Sequence, residues 1–430
     1  MKKMIMPYIA RIISSNQLKD IKRASYQFNR IIKGRESRVD IFLRIDDPYS
    51  YLLIQVIEDF LVRFRIKAEF HVVLELQEEM FPAMDMWHQY ASRDAGYLAD
   101  LYQLDFPSKQ VVIDDRNILE AATAELLLAE SSETFISTAK DIFKRVWSGE
   151  FTDQLPQEPF ENNQLKKQLI KNQLLLEKKG HYFGAMINFE GEWYWGVDRL
   201  DHLESRLIKQ GLALNKNDNV QFNLTYNDFC KRPIEDVKIC DVPLTIYWSA
   251  RSPYSYIGLV QAIKLSEYYG IPLIIKPVLP MMMRGMNVPQ AKKMYIFMDT
   301  KREAQKLSLP YGYVADPLGP AVERCYALLE YARNENKLQE FLLSFAKGVN
   351  TQGIRGETDS GMRIMVERCG LNWLIAKDKI NNTDWKAEVN RNLDDMFKKG
   401  CWGVPSFEYG DHTLWGQDRM GIIENLIRNN

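Results

Sequence analysis

The chain has no Cys-x-x-Cys pair anywhere in its 430 residues, and its five cysteines (Cys230, Cys240, Cys325, Cys369, Cys401) are odd in number and irregularly spaced. That excludes the common dithiol redox motif and argues against a disulfide framework, so the expected setting is reducing and cytoplasmic. Histidine is as scarce: the five at 71, 88, 181, 202 and 412 never take a metal-ligand spacing, and no metal site is expected. No apolar stretch approaches the ~18 residues of a spanning helix. The start, Met1 to Arg11, imitates a secretory leader for a few residues. Pro7 and Arg11 then break it, and no small-residue cleavage site follows. Net charge is only −1, so bulk electrostatics recommend neither nucleic acid nor an anionic membrane as partner.

What is present is ordinary soluble material: 46% hydrophobic and 26% charged residues. A chain of this length suits two cores of about 200 residues better than one. Residues 1–38 are basic and of helical pattern, with Lys19, Lys22, Arg23, Arg30, Lys33 and Arg35. They read as a solvated helical extension or as a docking arm for an acidic partner.

The most informative feature is a repetition. Asp47-Pro48-Tyr49-Ser50-Tyr51 returns 205 positions later as Ser252-Pro253-Tyr254-Ser255-Tyr256. Each copy follows a strand-like apolar run and opens a helix, with proline at the first helical position, where its missing N–H costs nothing. Asp47 and Ser252 are both good N-caps. Each half also closes on a shared signature, Trp195-Gly196-Val197-Asp198-Arg199 against Trp415-Gly416-Gln417-Asp418-Arg419. The first half reads as strand, helix, strand, a helical block over 84–180, then a hairpin near Glu190-Gly191 and a closing helix after Asp198. The second repeats that order, with a helical block over 286–400 and a hairpin near Gly410-Asp411. The predicted domains are 39–213 and 241–430, joined by a polar linker, 214–240. Mixed sheets with helices on their faces bury such elements.

This order, the Ser-Pro-Tyr-Ser-Tyr helix entrance and the Gly403-Val404-Pro405 step resemble the DsbA-like thioredoxin fold. More specifically they resemble the branch that holds kappa-class glutathione transferases and 2-hydroxychromene-2-carboxylate isomerases. The resemblance covers both halves, residues 39–212 and 241–430. The fold class implied is α/β, with two thioredoxin-like domains, each a mixed central sheet carrying a large helical insertion.

Ser252 stands at the positive end of a helix dipole, among unpaired backbone N–H groups, a place that favours anions. The superfamily commonly has its attacking cysteine there. Serine cannot exchange disulfides, so a thiol-disulfide oxidoreductase is disfavoured, but its hydroxyl can hydrogen-bond the thiolate of a bound thiol such as glutathione. The bland reading is a helix cap and no more. The resemblance places a cis-proline at Pro405 and gives the backbone of Val404 to glutathione's cysteinyl unit. It gives Gln417 and Asp418 to the γ-glutamyl end, although Asp418 also reads as a simple N-cap. It gives Asn287 and Lys292 to a carboxylate of glutathione or substrate, with Lys293 one position away. Met281, Met282 and Met283 line an apolar pocket or pack in the core. Cys401 lies near the site or is simply buried.

The first half departs from that pattern. Asp47 replaces the serine. Aligning Gly184-Ala185-Met186 with Gly403-Val404-Pro405 puts Met186 in place of the proline, and aligning Pro82 with Pro289 puts Asp85 in place of Lys292. The expectation is a scaffold half, paired within the chain with a working second half; Asp47 as an acid, a base or a cation ligand is the competing idea. The function implied is a glutathione-dependent isomerase or transferase acting on a small conjugated or aromatic carbonyl substrate. The alternative is a non-catalytic thioredoxin-like module holding a peptide or partner beside Pro405.

Overall fold

The computed structural model describes residues 2–75, 77–151, 160, 163–226, 228–234 and 241–429. Two compact units are found. One is Lys22–Asn227; the other combines Asp228–Asn430 with Met1–Ile21. The segment expected to be a separate N-terminal extension is thus divided. Its helices are α1 (Lys2–Ile13) and α2 (Asn16–Ile32).

In the first-half unit, β1 (Arg38–Leu43), α3 (Pro48–Leu61) and β2 (Lys67–Val72) form the opening β-α-β. A helical block follows: α4 (Met84–Tyr102), α5 (Arg116–Ala129), α6 (Phe135–Ser148) and α7 (Asn163–Lys178). The hairpin β3 (Met186–Phe189) and β4 (Glu192–Trp195) and then α8 (Leu200–Lys209) complete it. The sheet order is β2-β1-β3-β4. β1 runs parallel to β2 and antiparallel to β3. β1 is buried along nearly its whole length, as an apolar central strand should be. Asp47 caps α3 by accepting from the Ser50 amide at 3.1 Å.

The second half repeats this with β5 (Leu244–Trp248), α9 (Pro253–Tyr269) and β6 (Leu273–Pro277). Its insertion is longer: α10 (Gln290–Lys306), α11 (Pro320–Ala327), α12 (Leu329–Asn334), α13 (Leu338–Thr351), α14 (Asp359–Glu367), α15 (Trp373–Lys379) and α16 (Trp385–Lys398). The hairpin β7 (Ser406–Tyr409) and β8 (His412–Trp415) precedes α17 (Met420–Arg428). The order β6-β5-β7-β8 and the strand directions match the first sheet.

The linker residues are anchored, not loose. Arg63 grips Asp218 at 2.9 Å, and Glu204 accepts from the amides of Gln221 and Phe222 at 3.0 and 2.9 Å, so 218–222 belongs to the first unit. Buried Glu424 accepts from the Cys230 amide at 3.1 Å and lies 3.7 Å from Arg232, which ties 230–232 to the second unit. Residues 235–240 lie outside the described residues. No helix among the described residues is long and apolar enough to cross a membrane.

Candidate functional site

In the second half, Ser252 is the N-cap of α9: its Oγ accepts from the Ser255 amide at 3.1 Å and donates to the carbonyl of Val404 at 3.2 Å. The Val404–Pro405 bond is cis. Pro405 is buried against α9 so closely that a Cβ on Gly258 would lie 3.0 Å from its Cγ and 2.9 Å from the Phe407 ring. Glycine in mid-helix is normally unfavourable; here it buys the close approach that holds the cis step against the helix entrance. The Gly416 amide donates to the Pro405 carbonyl at 2.9 Å, bringing the 416–418 loop alongside.

Gln417 is buried and its amide reaches Glu303 of α10 at 3.4 Å. Asp418 is also buried, and the N-cap position of α17 falls one residue later, at Arg419. Its carboxylate curls back over Gly416, where a Cβ would meet it at 2.5 Å, and it pairs with Arg419 at 3.3 Å. Lys292 is half-buried in the first turn of α10, and burial pushes its ammonium down to about 8. Asn287 is exposed in the loop before α10. Ser252 is therefore bonded to the Val404–Pro405 step, the 416–418 loop adjoins Pro405 through the backbone, and Asn287 is exposed at the surface. Met281, Met282 and Met283 are half-buried, and Cys401 is fully buried.

Arg284 went unnoticed in the sequence. Its Nη2 donates to the Trp402 carbonyl at 3.1 Å, two residues before Val404, and its guanidinium lies 5.7 Å from the Phe397 ring. Among the described residues its Nε and Nη1 are buried without a hydrogen-bond partner and no carboxylate pairs with it, and burial pushes the group down to about 10. Such a guanidinium is a ready partner for an anion. A lone arginine in a methionine run carries no periodic or spacing signal that would have found it.

The first half keeps the frame and changes the contents. Two parallel hydrogen bonds fix the true correspondence: Tyr49 donates to Asp94 at 2.8 Å, and Tyr254 to Asp299 at 2.7 Å. Both pairs are 205 positions apart, so Lys292 corresponds to Trp87 and the expected match to Asp85 is incorrect. The hairpin register corrects a second expectation. Met186 pairs with Trp195 as Ser406 pairs with Trp415, and Gly196 donates to Ala185 as Gly416 donates to Pro405. Ala185, not Met186, stands where the cis-proline is, and Gly184 stands where Val404 is.

Those replacements fill the site. A Cβ on Gly184 would lie 2.6 Å from Asp47 Oδ2, so the larger carboxylate requires glycine opposite it. Asp47 also accepts from the Ser50 hydroxyl at 2.7 Å, and burial pushes its carboxyl up to about 6 against the pull of Arg44 and Ser50. Trp87 packs 5.5 Å from Phe183, 6.0 Å from Tyr49 and 6.4 Å from Trp195. A cavity beside Arg44, Asp46, Pro48 and Trp87 is ≈ 10 Å³, about one water. The polar Gln417–Glu303 pair has Val197 and Leu98 at its counterparts, both buried.

Among the described residues one cluster of metal-ligating residue types occurs. Asp40, Glu69 and His71 offer ligand atoms within 4.8 Å of one another on β1 and β2. Asp40 already holds Lys179 at 2.6 Å and His71 at 3.0 Å. Burial works against its ionisation, but those two partners outweigh it and hold the carboxyl at about 2. The ammonium occupies the place a cation would take, and the cluster reads as an ion-pair network.

Residues 243–428 match the DSBA-like thioredoxin domain family. A 2-hydroxychromene-2-carboxylate isomerase of Sphingobium xenophagum is 22% identical over 200 residues, 43% of this chain and 97% of that protein. A solved 2-hydroxychromene-2-carboxylate isomerase is 20% identical, with a TM-score of 0.39, over 43% of this chain and 94% of its own. A cytosolic disulfide reductase from Pseudomonas aeruginosa is 16% identical, with a TM-score of 0.34, over 44% and 100%. The family match lies in the second half; the first half is tied to it by the topology and register described above. The part of the chain that carries Ser252, Lys292 and the cis Val404–Pro405 step is a DSBA-like thioredoxin domain.

Proposed function

We propose that the second half is a glutathione-dependent isomerase or transferase acting on a small conjugated or aromatic carbonyl compound. The observation that carries this reading is the position of Ser252. Its hydroxyl sits at the N-terminus of a 17-residue helix, hydrogen-bonded to the carbonyl of a cis Val404–Pro405 step. The charges fit an anionic thiol: Lys292 and Arg284 carry positive charge on the same half, and the dipole of α9 adds to it. The sequence similarity to a 2-hydroxychromene-2-carboxylate isomerase supports the reaction class.

Bound glutathione would supply a nucleophilic thiolate to the conjugated system, to be released again by an isomerase or retained by a transferase. The protein's part is positioning and charge. Ser252 turns its proton from the Val404 carbonyl to the sulfur, and the freed Val404 carbonyl and amide pair with the cysteinyl backbone. Lys292, still mostly an ammonium at neutral pH, holds a carboxylate. Arg284 takes a second carboxylate with its two unmet donors. Gln417 and Asp418 position the γ-glutamyl end, and Asn287 closes the outer edge. Holding sulfur and substrate together turns a bimolecular addition into an oriented one, worth up to ~7–11 kcal/mol where alignment is good.

The cap bond from Ser255 favours one second reading, in which Ser252 only ends the helix and the half is a binding module for an extended peptide beside Pro405. Spectroscopic titration of bound glutathione separates the two. Under the enzymatic reading the thiol pKa falls from ~8.5 by about a unit on binding, and Ser252→Ala restores it. If bound glutathione keeps its solution pKa, the binding-module reading replaces the enzyme.

A further inference from the structure

The near-neutral net charge hides a strong asymmetry. Residues 1–35 contain nine basic side chains and Asp20 as their single acid, a net +8; with −1 overall, the rest of the chain carries −9. The same segment is where apolar surface meets water. Of the 24 large apolar side chains exposed among the described residues, 11 lie within residues 4–32.

Helix α2 explains how. A surface helix of a soluble domain normally turns its apolar stripe inward, but α2 has no buried residue at all. Ile21, Phe28 and Ile32, at i, i+7 and i+11 on one face, are 65%, 64% and 66% exposed, and Ile31 beside them is 72% exposed. The opposite, cationic face is the one turned to the protein. Arg23 makes a two-pronged pair with Glu192 at 2.6 and 2.7 Å, and Arg30 lies 3.8 Å from Glu190. Helix α1 is held in a similar way. Pro7 is buried near Gly353, Tyr8 lies 5.3 Å from Tyr313, and Ser14 donates to the Gly312 carbonyl at 3.4 Å. Met4, Ile5, Met6 and Ile12 remain 45–63% exposed.

We propose that α2 is an interfacial anchor that lays its outward apolar face into an anionic lipid surface. Exposed Ile and Phe supply the insertion, and the exposed Lys22, Lys33 and Arg35 supply attraction to acidic headgroups. Charge complementarity selects this occupant over a second copy, since an isologous contact would bring these exposed cations of one copy against those of the other. The helix does not need to cross the bilayer. The inference is independent of what the second half binds.

The test is co-sedimentation of the full chain with vesicles of phosphatidylcholine alone or with one third phosphatidylglycerol, at low and high salt, beside light scattering without lipid. A triple variant, Ile21→Asp, Phe28→Asp and Ile32→Asp, alters only exposed positions, and far-UV circular dichroism with the thermal midpoint checks its fold. The expected result is binding to the anionic vesicles at least tenfold tighter than to the neutral ones, weakened by salt and lost in the folded triple variant. No sedimentation with anionic vesicles overturns the proposal. So does a stable dimer that the triple variant dissolves, because the apolar face is then covered by a second copy.

Discussion

The two helix entrances share one backbone frame and differ at a few side chains. At the second, Ser252 is small and donates to the Val404 carbonyl, the Val404–Pro405 bond is cis, and the matching position in the first turn of α10 is Lys292. At the first, Asp47 extends further and forces Gly184 opposite, Ala185 replaces the proline, and Trp87 replaces the lysine inside a stack of rings. The frame survives because it depends on other residues: Tyr49–Asp94 matches Tyr254–Asp299, and the Trp195 and Trp415 registers are the same. Fold and site are thus specified by separate sets of positions in one duplicated plan. In the first half the corresponding positions hold Asp47 and Trp87, each packed against neighbouring side chains.

The largest effect should come from importing a first-half residue behind the cis-proline. Leu53 occupies the place of Gly258, and Gly258→Leu would drive side-chain atoms into Pro405 and Phe407. Overpacking of this kind costs ~1–3 kcal/mol, and glutathione binding should disappear; urea denaturation and calorimetry report the two effects. Unchanged affinity would show that Pro405 is not part of the site.

Next in size is Lys292→Trp, which copies Trp87. Affinity for S-methylglutathione, chosen because it has no titrating thiol, should fall at least tenfold with little change in thermal midpoint. In the unaltered protein the same ligand gives the pH sign. With Lys292 held at about 8, its charge is present below that pH and lost above it, so affinity should drop between pH 7 and 9. A flat profile would remove Lys292 from the binding set.

Asp47 gives a smaller, thermodynamic signature. Burial raises its carboxyl to about 6 from an ordinary value of 3.8. The folded state therefore holds a proton that the unfolded state has released between those values, and stability should decline as pH rises through that window. Asp47→Asn keeps an acceptor for the helix cap and should flatten that decline, stabilising the protein at pH 7 by on the order of 1–3 kcal/mol. Denaturant midpoints at pH 4, 5, 6 and 7 provide the check. Smallest of all is the effect expected from Asp47→Ser on ligand binding: none, because Trp87, Phe183 and Gly184 still close the entrance. A second glutathione site gained by that one change would mean the half is merely repulsive, not filled.

Much of this was legible in sequence, and what was not has physical reasons. The helix entrances could be read because proline at N1 and a capping side chain leave a local signature. The strands could be read because central strands are continuous apolar runs. The residue-by-residue match of the halves could not. The connection from β2 to α4 and that from β6 to α10 differ in detail, so aligning Pro82 with Pro289 misplaced the partner of Lys292 by two positions. Only the tyrosine–aspartate bonds reveal the offset. Met186 was misaligned by one because Ala185 adopts a positive φ of 51° before the strand, which the residue types do not announce. Arg284 was invisible for want of a pattern. The outward face of α2 was invisible because an amphipathic sequence states that two faces differ, not which one meets the protein.

The central claim is that one duplicated plan carries one working entrance, and the stoichiometry of glutathione binding to the intact chain tests it most directly. Calorimetric titration at millimolar glutathione should show a single site per chain, abolished or strongly weakened by Ser252→Ala combined with Pro405→Ala and untouched by Asp47→Ser. Two equivalent sites per chain, no binding at all, or binding indifferent to the Ser252 and Pro405 changes would contradict it.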